Sequence, residues 1–269
     1  MKDIVIFRGA GDVATGAIQK LKRSGFNVLC LEIKKPTAVR RYVSICEAVY
    51  ESKFKVEDIE AVLVKNKKEI FKAFDDDKVA VLVDPHADIL KEIKPIAFID
   101  ATIAKRNLGT KKDMADTVIA LGPGFTAGID CDIVIETNRG HDLARLIFKG
   151  SAHKNTGNPG NILGYTTERV LYSNKEGIVK NHVKLGDFVN KGDLIASIGD
   201  SKITSKLDGM VRGLIRDNTY VKEHMKIGDV DPRRNIKNLY TISDKSRAIG
   251  GAVLEAVMIG RAKNERDKN

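Results

Sequence analysis

The sequence predicts an α/β protein built on a Rossmann-like, doubly wound parallel sheet. A second, mostly β domain follows, and a C-terminal helix packs back on the first. Three observations predict this. The chain opens on an apolar run, a glycine-rich turn and an amphipathic segment. Apolar runs then alternate with short helical stretches. After Ser151 helical periodicity disappears, and a hydrophobic pattern recurs at an offset of 32 residues. The domains expected are 1–150, 151–240 and 241–269.

The opening run, residues 4–7, leads straight into Arg8-Gly9-Ala10-Gly11-Asp12-Val13-Ala14-Thr15-Gly16. Strand, phosphate-binding turn and helix are the first half of a βαβ unit. Gly9 allows a tight turn, Gly11 lets backbone N–H groups approach a pyrophosphate, and Ala14 is the third small residue, permitting helix and strand to pack closely. Asp12, Thr15 and Gly16 complete the motif, and the helix that follows points its positive end at the ligand. A second apolar strand, 27–32, ends on Glu32, an acid about twenty residues past the turn, where a ribose-binding carboxylate belongs. Lys34 and Lys35 after it suit an extra phosphate, whereas Asp12 sets a negative charge beside the pyrophosphate position. A nucleotide or dinucleotide site is one reading; a fold that keeps the turn without its ligand is the other.

Residues 38–50 suit a helix running into a short strand, and 67–74 an amphipathic helix with Ile70, Phe71 and Phe74 on its apolar face. Apolar runs at 79–83, 97–100 and 118–121 and a last strand at 132–137 complete a largely parallel sheet covered on both faces. Ligands sit at the carboxyl ends of such strands. That edge carries Asp84, His86 and Asp100, then Lys105 and Arg106 as an anion clamp, then Gly122 and Gly124, then Asn138, Arg139 and His141 before a helix at 143–147 that Asp142 starts. The alternatives are ordinary loop cations at 105–106 and a His141 that bonds backbone.

In the second half Gly177-Ile178-Val179 matches Gly209-Met210-Val211, Val183 matches Ile215, Phe188-Val189 matches Tyr220-Val221, and Ile195 matches Ile227, so two similar β units face one another. The pattern resembles the biotinyl/lipoyl carrier domain, a barrel-sandwich hybrid. A carrier needs a modified lysine at the tip of the hairpin between halves, here 198–207. Lys202 lacks both the biotin and the lipoyl setting and reads as an exposed turn lysine, leaving the module as scaffold, docking surface or lid. Asp229 and Asp231, before Pro232-Arg233, cap a loop or bind a cation. Ser243 opens the final helix, in which Gly250 and Gly251 allow close approach to another backbone, and the tail 261–269 frays.

No apolar run reaches membrane-spanning length and the N-terminus enters a strand directly, which implies a cytoplasmic protein without membrane contact. Cys30, Cys46 and Cys131 are scattered and read as buried thiols. A net charge of +10 raises nucleic acid as a partner. The basic residues are spread along the whole chain and aromatics are only 6%, so a lysine-rich solvated surface is expected instead. The five histidines lie too far apart for a local metal pair, and no Ser-His-Asp arrangement appears.

Six segments in one order, 8–16, 104–110 (Ala-Lys-Arg-Asn-Leu-Gly-Thr), 121–128 (Leu-Gly-Pro-Gly-Phe-Thr-Ala-Gly), 136–143, 226–233 and 242–251, resemble the YqeB-type family. That family is named for the selenium-dependent molybdenum hydroxylase maturation system. The resemblance implies a pathway and no reaction. Its leading implication is an accessory protein that handles a nucleotide or a molybdopterin dinucleotide, with a molybdenum hydroxylase as partner. An NAD(P)-dependent oxidoreductase, suggested by Glu32, and a non-catalytic docking scaffold for the hydroxylase are the alternatives.

Overall fold

The structure is a computed structural model that describes residues 3–266. It divides into two compact units. One takes the chain up to Pro36, Ser44–Asn155 and everything from Ile242 on; the other takes Thr37–Val43 and Thr156–Thr241. The short segment Thr37–Val43 thus belongs to the second unit, although the sequence places it within the first domain.

The first unit is built from β1 (Ile4–Arg8), α1 (Asp12–Arg23), β2 (Asn27–Glu32), α2 (Ala48–Glu51), β3 (Lys53–Val56), β4 (Ile59–Val64), α3 (Lys67–Asp75), β5 (Val79–Val83), β6 (Ala97–Asp100), β7 (Thr117–Leu121), β8 (Ile133–Ile135) and β9 (Leu146–Ile147). Its nine-stranded sheet has the order β3-β4-β5-β2-β1-β6-β7-β8-β9. Every pairing from β4 to β8 is parallel, and the two edge strands pair antiparallel. All six residues of β2 are buried, as a central parallel strand covered on both faces requires. Ile70, Ala73 and Phe74 of α3 close one face over Ile6, Leu29, Leu31, Leu82 and Phe98. Asn66 caps α3, accepting the Glu69 N–H at 3.0 Å, while Glu69 reaches back to the Lys65 N–H at 2.9 Å.

Two expectations fail here. Residues 38–50 form short 3₁₀ turns and the single-turn α2 instead of a helix. The helix expected at 143–147 is a turn followed by β9. Ala144 takes a left-handed φ of +69° and its N–H donates to the Glu136 carbonyl, which starts the antiparallel pairing of β9 with β8. Five residues cannot repay helix nucleation when a neighbouring strand offers partners at once.

The second unit comprises β10 (Val170–Tyr172), β11 (Gly177–Asn181), β12 (Phe188–Val189), β13 (Leu194–Ile198), β14 (Ser201–Thr204), β15 (Gly209–Leu214), β16 (Tyr220–Val221), β17 (Lys226–Asp231) and α4 (Lys237–Tyr240). Two four-stranded antiparallel sheets result, β10-β17-β15-β12 and β14-β13-β11-β16. Moving along the chain by the 32-residue repeat carries β10 onto β14, β11 onto β15, β12 onto β16 and β13 onto β17. The copies do not each form a sheet; they interleave, so each sheet takes two strands from each copy. Val179 and Val211, Val189 and Val221, and Ile195 and Ile227 meet in one buried cluster. The repeat extends to backbone conformation: left-handed Gly186 and Gly192 correspond to left-handed Asn218 and His224. Lys202 lies within β14 opposite Ser197, not in the turn, which Gly199 and Asp200 make.

Asp231 caps a turn, accepting the Arg233 N–H at 3.0 Å, and pairs with the Arg233 guanidinium at 2.6 Å. Asp229 instead meets Arg169 Nη1 at 2.6 Å with both side chains nearly sequestered. Removing one partner strands a buried charge, so Arg169→Met should cost about 3–5 kcal/mol, with Arg169→Met/Asp229→Asn recovering part of the loss. Urea denaturation of the three proteins checks this; a loss below 1 kcal/mol, about that of an exposed pair, would show the ion pair to be dispensable.

The chain then returns to the first unit through α5 (Asp244–Arg266), opened by Ser243, whose hydroxyl accepts the Ser246 N–H at 3.2 Å. The helix packs against α1 with backbones in contact. A Cβ on Gly16 would collide with the Ser246 carbonyl, and one on Gly250 would lie 2.5 Å from the Gly16 carbonyl oxygen. The tail expected to fray is helical through Arg266, with Arg261 paired to Glu265; its last three residues lie outside the described ones.

Candidate functional site

The carboxyl ends of β1, β2, β6, β7 and β8 lie along one edge of the first unit's sheet. Successive parallel strands are laid outward from β1 in two directions, through β2 and then through β6. A crevice opens at such a reversal. Gly9 turns there with φ +87°, and a Cβ on it would press on Thr102 Cα at 3.2 Å, so the position requires glycine. Gly11, the N-cap of α1, has ordinary backbone angles and nothing within 4 Å of a built Cβ. Between them the Ala10 N–H donates to Glu32 Oε1 at 2.6 Å, and Oε2 accepts the Ile33 N–H at 3.0 Å. The Gly11 N–H has no hydrogen-bond partner among the described residues. At the bend, then, one amide is filled by a carboxylate and the next one is open.

Glu32 uses two of its four acceptor positions on these amides, leaving two for hydroxyl donors. Burial raises its carboxyl above the ordinary glutamate value, and the two N–H donors only partly oppose this. A folded-state value above the unfolded one means that the folded chain binds this proton more tightly. Its contribution to stability is thus full below the ordinary value and is lost as pH rises through the raised one. Glu32→Gln should remove that slope; urea midpoints measured across mildly acidic pH would show it, and identical pH profiles would rule it out.

At the end of β6, Asp100 is fully buried. Its Oδ1 accepts the Thr102 N–H at 3.1 Å and the Thr102 hydroxyl at 2.7 Å, and its Oδ2 accepts the Thr110 hydroxyl at 2.6 Å. Thr110 in turn accepts from Arg8 Nη1 at 2.9 Å, so the hydroxyl relays between guanidinium and carboxylate, whose nearest atoms are 3.8 Å apart. The loop between β6 and β7 holds two side-chain-bearing residues in the left-handed region, Ile103 at φ +52° and Lys105 at φ +62°. Such positions cost on the order of 1–3 kcal/mol each and cluster at ligand sites. Lys105 and Arg106 are exposed on this loop. Gly124 is pressed onto the Arg106 backbone, and a Cβ on Gly122 would lie 2.5 Å from Thr137 Oγ1, so both glycines let the next loop close against its neighbours.

No family model matches the chain. The Escherichia coli (strain K12) protein YqeB, itself uncharacterized, is 49% identical to it over 256 residues, or 95% of this chain and 47% of that protein. The chain belongs to the YqeB family. It spans about half the length of that relative. Among solved structures, the product-bound ectoine utilization protein EutE (DoeB) from Ruegeria pomeroyi aligns over 85% of each chain at 13% identity with a TM-score of 0.26. An aspartoacylase family protein from Mesorhizobium loti aligns over 85% of this chain and 84% of its own at 8% identity with a TM-score of 0.27. Scores that low carry no argument, and family membership rests on sequence identity with YqeB.

In this YqeB-family chain several predicted ligand residues have other work. Thr15 donates its hydroxyl to the Gly11 carbonyl at 2.9 Å and accepts the Ile45 N–H at 3.1 Å, and Gly16 lies under α5. Ala14 is buried, and Asp12 stands in the first turn of α1. Arg139 is held bidentately by Asp244 at 2.8 and 2.9 Å, an exposed pair at the start of α5. Asn138 and His141 sit exposed on the turn after β8. Asp84 is a turn cap, accepting the N–H groups of Asp88 and Ile89. Cys30, Cys46 and Cys131 are free and buried, and desolvation lifts their thiols, Cys131 to about 12, far from a nucleophile's range. Among the described residues no group of His, Cys, Asp and Glu could hold a metal ion, and no helix is long and apolar enough to cross a membrane.

Proposed function

We propose that the first unit is a Rossmann-like domain that binds a nucleotide or dinucleotide at the bend between β1 and α1, in a cytoplasmic accessory protein of selenium-dependent molybdenum hydroxylase maturation. The order β5-β2-β1-β6-β7-β8, taken without β4 and the antiparallel edges, supports the doubly wound reading, since it follows the 3-2-1-4-5-6 arrangement. On the same reading the second unit is a barrel-sandwich hybrid of the biotinyl/lipoyl kind, its interleaved repeats in support and Lys202 in a strand. A molybdenum hydroxylase is the partner.

The observation that carries the ligand reading is the Ala10 amide gripping a carboxylate oxygen at 2.6 Å beside an open Gly11 amide. Main-chain donors at the start of a twelve-residue helix favour phosphate oxygens by geometry and by dipole. Isothermal titration of purified protein against NAD(H), NADP(H), CTP and molybdopterin cytosine dinucleotide tests it, and heat of binding with at least one is expected. No heat with any of them would remove the proposal. An NAD(P)-dependent oxidoreductase is favoured by one specific feature, the two acceptor positions Glu32 retains for ribose hydroxyls. Oxidation of NAD(P)H by a small substrate would select it over a cofactor-handling role.

A further inference from the structure

We infer that Arg8 receives a second anionic group, on the opposite face of the sheet from the glycine turn. Strand alternation separates the two places. Ile6 packs in the cluster beneath α3, so Arg8, two residues on, projects to that face, and its guanidinium lies 5.5 Å over the Phe98 ring of the same cluster. Leu29 and Leu31 share that face, which turns Glu32 and the α1 bend to the other.

Arg8 is 7% exposed and badly under-satisfied for a buried cation. Of its five N–H donors one is used, by Thr110. Its Nε is buried without any acceptor. Asp100 does not supply one: it pairs with Nη1 only at 3.8 Å, gives three of its four acceptor positions to the hydroxyls of Thr102 and Thr110 and the Thr102 N–H, and offers none to Nε. A guanidinium held by one hydroxyl, with its Nε edge unmatched, fits a planar two-oxygen acceptor taken side-on. Carboxylate and phosphoryl groups share that chemistry. The Thr110 hydroxyl holds the guanidinium by Nη1 at the carboxyl end of the central strand, which leaves the Nε edge for the anion. The ligand, or a pair of ligands, would then carry one anionic group against the α1 amides and another at Arg8. This inference rests on reading this edge as a ligand site, though not on the ligand being a nucleotide.

The test observes Arg8 directly in the intact chain. The ¹⁵N–¹H resonance of its Nε–H is assigned by its loss in Arg8→Lys and followed while inorganic phosphate, or separately acetate, replaces chloride at constant ionic strength. A saturable shift of that resonance with phosphate assigns a phosphoryl group, and a shift with acetate alone assigns a carboxylate. Arg8→Lys, which keeps the charge but loses the fork, should weaken the effective anion about tenfold or more, read from thermal stabilisation. The same titrations in Gly11→Asp separate the two ideas. Anion response at Arg8 should persist there even where nucleotide binding is lost. An Arg8 Nε–H unmoved by either anion, or anion affinity unchanged in Arg8→Lys, would overturn the inference.

Discussion

Gly250→Ala should destabilise the protein by about 3 kcal/mol or more, whereas Gly251→Ala, one residue along the same helix, should leave it unchanged or raise its stability by about 0.5–1 kcal/mol. The contrast follows from what a single methyl group would meet. On Gly250 it would lie 2.5 Å from the Gly16 carbonyl oxygen and 3.1 Å from the Ala17 nitrogen. Both are backbone atoms of α1, and no rotamer change relieves the overlap; the helices must move apart. That motion would be felt along the seam, because Gly16 faces the Ser246 backbone with as little room, and farther along α5 Gly260 lies against the Thr117 side chain of β7. On Gly251 the methyl group meets nothing within 4 Å and only replaces glycine's excess unfolded-state freedom. Urea denaturation of the two variants beside the parent chain checks the prediction. Equal midpoints would mean that α5 does not sit on α1 at this distance.

The sequence anticipated elements with long or strictly patterned apolar content and missed choices made by distant partners. The first strand, the bend and α1 are legible because periodicity changes from strand to helix across two glycines. The repeat is legible because Val179, Val189 and Ile195 recur at the same spacing as Val211, Val221 and Ile227. What the repeat does not say is that the copies interleave, since register within each copy is equally satisfied by two separate sheets. The last glycine of the opening motif, Gly16, reads as part of a ligand turn; its need for glycine comes from Ser246, 230 residues away in the chain. Arg139 reads as a phosphate ligand because Asp244, its acid, lies beyond the whole β unit. The link from Arg8 through Thr110 to Asp100 was hidden for the same reason: its members were each visible on strand ends or loops, but their contact spans 102 residues.

Gly11→Asp should abolish nucleotide binding while leaving the fold as stable as before. Most substitutions that remove a ligand from a glycine turn also damage the turn, which makes their loss of binding ambiguous. Gly11 escapes this because its φ of −70° and ψ of −174° suit any residue and its side-chain position is open. An aspartate there would occupy the N-cap of α1, which now has no side-chain cap bond, and an N-cap carboxylate accepts N–H groups of the first turn. Stability is therefore expected to hold or to rise by a few tenths of a kcal/mol. The same carboxylate would fill the amides proposed for phosphate and place a second negative charge beside Glu32, some 2–4 kcal/mol against an incoming phosphate at the dielectric of a protein surface, or at least 30-fold in affinity. Gly11→Ala serves as the control of size without charge and should retain measurable affinity. Calorimetric titration with whichever nucleotide binds the parent chain, paired with urea denaturation of all three proteins, reads both arms. A folded Gly11→Asp that binds with parental affinity would place the ligand away from this bend and leave the open Gly11 amide as a solvated helix end.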